Sequence, residues 1–186
     1  MFARGDAQTV SLANKRQFRM DPKFQTSRVM HEEHVAVLAL LERLANAMRD
    51  HSPQSPPDPL PDSLMRLLRE LPAVIEGEVG RHFDFEEQHL FDLMIEAGDK
   101  ENVDLLVEQH DQIRPVGTRL AVLARDALGN GFSSASWAEF SALADEYVDR
   151  LGTHAQLEEA TMVPLLDDIL EPEQDNELAE TYRAMP

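Results

Sequence analysis

Residues 82–94 read HFDFEEQHLFDLM, and residues 154–166 read HAQLEEATMVPLL. Both begin with His-x-x-x-Glu-Glu: His82 with Glu86 and Glu87, His154 with Glu158 and Glu159. In an α-helix, residues four apart are separated by about 40° around the axis, so each histidine shares a face with its first glutamate. A similar apolar run follows each motif. One such motif is common in an acidic helical chain; two form a weak twofold echo and place matching chemistry on two helices.

The sequence on either side of the motifs supplies the other helices. From Ser27 the pattern turns helical, with Val37, Leu38, Leu41, Leu44, Ala45 and Met48 recurring at three and four and His34 on the same stripe. That helix stops in HSPQSPPDPLPD, where five prolines between 51 and 61 forbid continuation. Asp62 or Ser63 is the expected cap of a second helix, which reaches Ala97 and ends at Gly98; Pro72 should kink or break it. A third helix is predicted from Lys100 to Leu128. It carries His110 on its apolar face, and Pro115 lies within it and crowds the carbonyl of Asp111. After GNGFSS, Ser134 or Ser136 caps a fourth helix that runs to about Leu170. Four long helices, short links and no β pattern predict an all-α, up-down-up-down four-helix bundle over residues 28–170. A polar N-terminal arm (1–27) and a short helical C-terminal tail (171–186) flank it.

Depth along the bundle is a separate check. His110 lies twelve residues after Gly98 and Glu86 twelve before it, while His154 is twenty after Ser134 and His110 about as far before it. In antiparallel helices these groups reach one level. With His34 they bring four imidazoles and two carboxylates into one layer of the core. A single inward histidine is more often a hydrogen-bonded core residue than a ligand, and a Glu-Glu pair is usually a solvated edge. Six ionisable groups buried together are another matter, because they are costly unless something pairs them. A pair of metal ions does so. Two bridging glutamates and two histidines each give every ion four protein ligands. Iron is the natural candidate for imidazole and carboxylate donors, and manganese or zinc also suit them.

The chain resembles the hemerythrin-like (HHE cation-binding) domains over about residues 28–170. The matching pieces are EEHVAVLALLERL around His34, HFDFEEQHLF, EQHDQI around His110, and HAQLEEATMVPLL with Pro164. The resemblance implies His34, His82, Glu86, His110, His154 and Glu158 as ligands of a di-iron, Fe–O–Fe type centre, with both glutamates bridging. It departs from the O₂-carrying hemerythrins on the third helix, where their second histidine is replaced by Arg114. It departs on the fourth as well: their aspartate five residues after histidine is here a glutamate at four. Both departures argue against simple oxygen carriage.

His89 follows His82 by seven residues and is a further possible ligand, although a half-exposed neighbour is the slightly preferred reading. His31, one turn before His34, is the other possible ligand, and the apolar register favours His34. Glu86-x-x-His89 also matches the Glu-x-x-His of ferritin-like bundles, but Leu151 stands where the second copy needs its glutamate. Tyr147 faces the centre or packs beside it, and His51 is expected at the surface.

Thirty-five acidic and seventeen basic residues give a formal charge of −18, which disfavours nucleic-acid and anionic-membrane partners. There is no cysteine, so thiolate sites and disulfides are excluded, and a cytoplasmic protein is expected. No window approaches a spanning helix. Three uses of the centre stay open to the sequence. One is binding or sensing of O₂ or a related small ligand such as nitric oxide or peroxide. The second is an enzyme acting on peroxide or nitric oxide. The third is an iron-responsive domain that contacts a protein partner or a second copy of the chain.

Overall fold

The computed structural model describes residues 21–186, so residues 1–20 of the expected arm lie outside the described residues. The described elements are all helical, with no strand among them. Helix α1 (Gln25–Arg49) begins before Ser27, and residues 21–27 do not behave as an arm. Phe24 and Ser27 are buried, and the first backbone N–H groups are capped from distant parts of the chain. Asp167 accepts from the N–H of Lys23 (2.8 Å) and of Phe24 (3.2 Å) and from the Ser27 hydroxyl. Asp175 accepts from the N–H of Gln25 (3.0 Å) and of Thr26 (2.8 Å). No local cap signal precedes α1, because its caps come from the other end of the sequence.

The second helical run is α2 (Asp62–Ala73), the π-turn segment π1 (Val74–Val79), α3 (Gly80–Phe85), the π-turn segment π2 (Glu86–Leu90) and α4 (Phe91–Glu96). Pro72 neither ends nor breaks it; the wide turns of π1 follow two residues later. The N-cap is Pro61, not Asp62 or Ser63, and no side chain bonds there. Gly98 (φ 93°) closes α4 as expected: its N–H reaches the Ile95 carbonyl (3.0 Å), and that of Asp99 reaches Met94 (2.9 Å).

Helix α5 (Lys100–Asn130) passes through Pro115 without interruption. Helix α6 (Ser134–Ala160) is capped by Ser133, one residue before the expected serines. Its hydroxyl accepts from the Ser136 N–H (3.1 Å), while Ser136 Oγ accepts from the Ser133 N–H (2.9 Å). Thr161 interrupts the fourth helix ahead of α7 (Met162–Ile169), and α8 (Pro172–Ala184) packs back along α1. His51 is half-buried, its ring edge-on to Trp137, whose indole N–H donates to the Ser52 carbonyl (2.8 Å) and fastens the proline loop.

Helix α1 packs on α6, α6 on α5, and α5 on α2 and π1. Two apolar clusters fill the interior. One gathers Leu41, Leu44, Leu68, Leu71, Leu120, Trp137 and Phe140, and the other Met30, Phe85, Leu90, Phe91, Leu106, Met162 and Leu166. A polar layer separates them, and the expected ligands lie in it. His34 falls between Met30 and Leu41, and His110 between Leu106 and Ile113. His154 and Glu158 fall between Leu151 and Met162.

Candidate metal centre

His34, His82, Glu86, His110, His154 and Glu158 are all buried, none more than 6% exposed. Helix α1 supplies His34, α3 and π2 supply His82 and Glu86, α5 supplies His110, and α6 supplies His154 and Glu158. The glutamates lie between the histidines, each directing one oxygen to either side. On one side Glu86 Oε1 is 2.8 Å from His82 Nε2, and Glu158 Oε2 is 3.0 Å from His34 Nε2. On the other, Glu86 Oε2 is 3.3 Å from His110 Nε2, and Glu158 Oε1 is 3.1 Å from His154 Nε2. The result is two four-donor groups, His34–His82–Glu86–Glu158 and Glu86–His110–His154–Glu158, whose ligand atoms lie within 4.8 Å of one another.

Each histidine is oriented from behind. The Nδ1–H of His34 donates to Glu159 Oε1 (2.8 Å), that of His82 to Glu33 Oε2 (2.8 Å), that of His110 to Glu87 Oε1 (2.7 Å) and that of His154 to Gln109 Oε1 (2.9 Å). With that proton committed outward, each Nε2 presents a lone pair inward. His34 and His82 then face each other at 3.2 Å, and so do His110 and His154. Two lone pairs at that distance repel unless a proton or a metal ion lies between them. None of the four Glu86 and Glu158 oxygens makes a hydrogen bond, despite the short distances to Nε2. Buried, unaligned and anionic, they are suited to serve as ligands of a shared cation.

Phe83 and Phe91 fix the His110 ring: Phe83 stacks on it with centroids 3.7 Å apart, and Phe91 lies at 5.7 Å. Phe83 also meets His154 edge-on at 5.0 Å. Held by protein groups alone, the cluster favours charge. Burial opposes ionisation of Glu158, but the imidazoles of His154, His34 and His82 outweigh it and hold the carboxyl well below the ordinary range. Burial and the Glu158 charge oppose ionisation of Glu86, yet His82 and His110 bring it below its usual value. Burial also works against protonation of His34, His82 and His110, while the carboxylates beside them raise all three, His82 most clearly.

The other expected residues stand apart. His31 is half-buried and meets Glu159 Oε2 through Nδ1 (2.9 Å), outside both donor groups. His89 is half-buried beside Phe85 (ring centroids 5.3 Å) and is likewise in neither group. Tyr147 packs in the core, its hydroxyl without a hydrogen-bond partner and pushed upward by burial. Arg114 points outward, its guanidinium pairing with Glu87 (2.9 Å) and Asp84 (3.0 Å) and lying 5.4 Å from the Phe83 ring centre.

A model of the hemerythrin HHE cation-binding domain matches residues 25–166. The chain belongs to this family. Its members bind metal cations, and the buried His/Glu cluster lies within the matched span. No curated protein matches the chain at a significant level. Among the described residues of this hemerythrin-family domain, no helix is long and apolar enough to cross a membrane.

Sequence reasoning missed the outer ring of acceptors. Glu33 precedes His34, Gln109 precedes His110, Glu87 follows Glu86 and Glu159 follows Glu158. Each neighbours a central donor on its own helix and bonds a histidine of an adjacent helix. The doubled glutamate was the visible signal, since its second member already had no other role. Glu33 further accepts from Arg81 (3.1 Å) and from the Tyr182 hydroxyl of α8, a contact with no trace in the local sequence.

Proposed function

We propose that the chain holds two iron ions through His34, His82, Glu86, His110, His154 and Glu158, with Glu86 and Glu158 bridging, and that it binds or senses O₂ or a related small ligand such as nitric oxide or peroxide. The carrying observation is the pair of four-donor groups that share both carboxylates. The opposed contacts of the helices support an up-down-up-down bundle around it. Arg43–Glu70 and Arg81–Glu33 cross the first pair of rods, and Arg119–Glu139 and Arg150–Gln112 cross the third and fourth, each in reverse sequence order. A di-iron pair supplies open coordination positions and the electrons that small oxidising ligands take up.

The protein's part is orientation and access. The four outward Nδ1–H bonds fix the histidines as Nε2 donors, and the two apolar clusters keep bulk water from the layer. A cavity of about 50 Å³ reaches His34, His82, His154 and Glu158 between Val37, Val79 and Leu151. That volume admits a molecule of a few heavy atoms. We read the protein as cytoplasmic.

The test is to reconstitute the protein with ferrous iron without oxygen, count the metal, and record visible spectra before and after air, nitric oxide, peroxide and azide. Two irons per chain and a spectrum altered by these ligands are expected. A reversible oxygen spectrum marks binding, and sustained peroxide or nitric oxide consumption marks an enzyme. Fewer than one metal per chain overturns the reading.

A further inference from the structure

The inner donors of the two groups are alike in kind: two Nε2 atoms, one Glu86 oxygen and one Glu158 oxygen each. Their outer supports differ. Behind His34 and His82 stand two carboxylates, Glu159 and Glu33; behind His110 and His154 stand one carboxylate, Glu87, and one neutral amide, Gln109. The nearby arginines do not remove the difference. Arg81 bonds Glu33 (3.1 Å) and Arg114 bonds Glu87 (2.9 Å), one in each half. Arg114 is shared with Asp84 (3.0 Å) and Glu159 also meets His31 (2.9 Å), so the difference lies in what each ring bonds directly: the carboxylate of Glu159 behind His34 against the neutral amide of Gln109 behind His154.

A carboxylate that accepts the Nδ1 proton draws positive charge to the back of the ring and leaves Nε2 a stronger donor. An amide oxygen does this far less. The geometry points to Gln109 as a positioning residue that makes the two metal positions unequal: the one held by His34 and His82 takes a divalent cation first and more tightly, and the one held by His110 and His154 takes it second. The second position is thus the one from which metal is lost first, and a protein with one ion keeps it between His34 and His82. This ordering rests on the six-ligand reading above.

Calorimetric titration of the metal-stripped, full-length protein with zinc ion alone, against a competing chelator, resolves the two steps without redox chemistry. The wild type is expected to bind in two steps separated by more than the statistical ratio for equal positions. Gln109→Glu should strengthen the second step about tenfold and leave the first in place, the scale on which outer-shell partners act on metal affinity. Glu159→Gln should instead weaken the first step about tenfold. Which step each variant moves identifies which position fills first, since simple repulsion between two ions would respond to neither change selectively. Gln109→Glu acting on the first step, or on neither, overturns the ordering. Fewer than two zinc ions in the wild type and in Gln109→Glu, with unchanged circular dichroism, overturns the six-ligand reading itself.

Discussion

Replacing Glu158 by glutamine removes negative charge at the point where the two halves of the centre join. Its Oε2 lies 3.0 Å from His34 Nε2 and its Oε1 3.1 Å from His154 Nε2, so one substitution weakens both positions. An ion bound only by the folded state stabilises it by about 2.7 kcal/mol when free metal exceeds Kd a hundredfold, so two ions give about 5.4 kcal/mol. For a chain of this size, at roughly 2–4 °C per kcal/mol, that is a metal-induced rise of about 10–20 °C in Tm. In the stripped protein the substitution also takes a buried anion from beside His34, whose protonation the carboxylates favour, and breaking such a buried pair costs about 3–5 kcal/mol. The measured quantity is therefore the difference in calorimetric Tm between loaded and stripped protein, taken for each variant separately. Wild type should show the full rise, and Glu158→Gln less than about a third of it, with fewer than two metals retained. His89→Ala, which touches neither donor group, should keep the full rise. A full metal-induced rise in Glu158→Gln, or no rise in wild type, would refute the argument.

Stripped of metal, the protein should be most stable between about pH 4.5 and 6.5. The raised pKa values of His34, His82 and His110 contribute stability below their ordinary 6.5 that is lost as pH rises through the folded values. The lowered Glu86 and Glu158 contribute stability above their ordinary 4.5 that is lost as pH falls through theirs. Melting curves from about pH 4 to 9 test this, and a stripped protein that gains stability towards pH 9 contradicts it. Gly117→Ala should lower Tm by a few degrees, since its Cβ would lie 2.9 Å from both Ile75 Cγ2 and Tyr147 Cε2. Overpacking of that kind costs about 1–3 kcal/mol, against about 1 kcal/mol gained in helix propensity. Asp175→Ala strips the caps from the Gln25 and Thr26 N–H groups, costing about 0.5–2 kcal/mol. Amide exchange should then quicken in α8 and the first turn of α1; unchanged exchange there would show that the carboxylate does not hold the two ends together.

The helices and the inner donors were legible because both follow from local periodicity. His82 and Glu86 share a face by spacing alone, and equal counts from Gly98 put His110 at the level of Glu86, where the structure finds them 3.3 Å apart. The prolines between 51 and 61 and Gly98 marked helix ends for reasons that belong to the residues themselves, whereas Pro72 and Pro115 ended none. The structure departs from the local pattern where a partner lies far along the chain: α1 begins ahead of Ser27 because its caps are Asp167 and Asp175, more than a hundred residues away. The cap of α6 was misplaced by one residue because neighbouring serines offer the same chemistry, and only backbone geometry selects Ser133.

The sequence by itself determined the helices and a set of residues that can meet at one depth, with His34 and His31 both candidates, because a helix converts spacing into direction without help. Only the tertiary structure decided that His34, and not His31, enters the donor groups. It alone revealed the ring of Glu33, Glu87, Gln109 and Glu159, in which each residue bonds a histidine of a different helix. Those contacts depend on how neighbouring helices are rotated against one another. Packing of the two apolar clusters sets that rotation, and no local pattern records it.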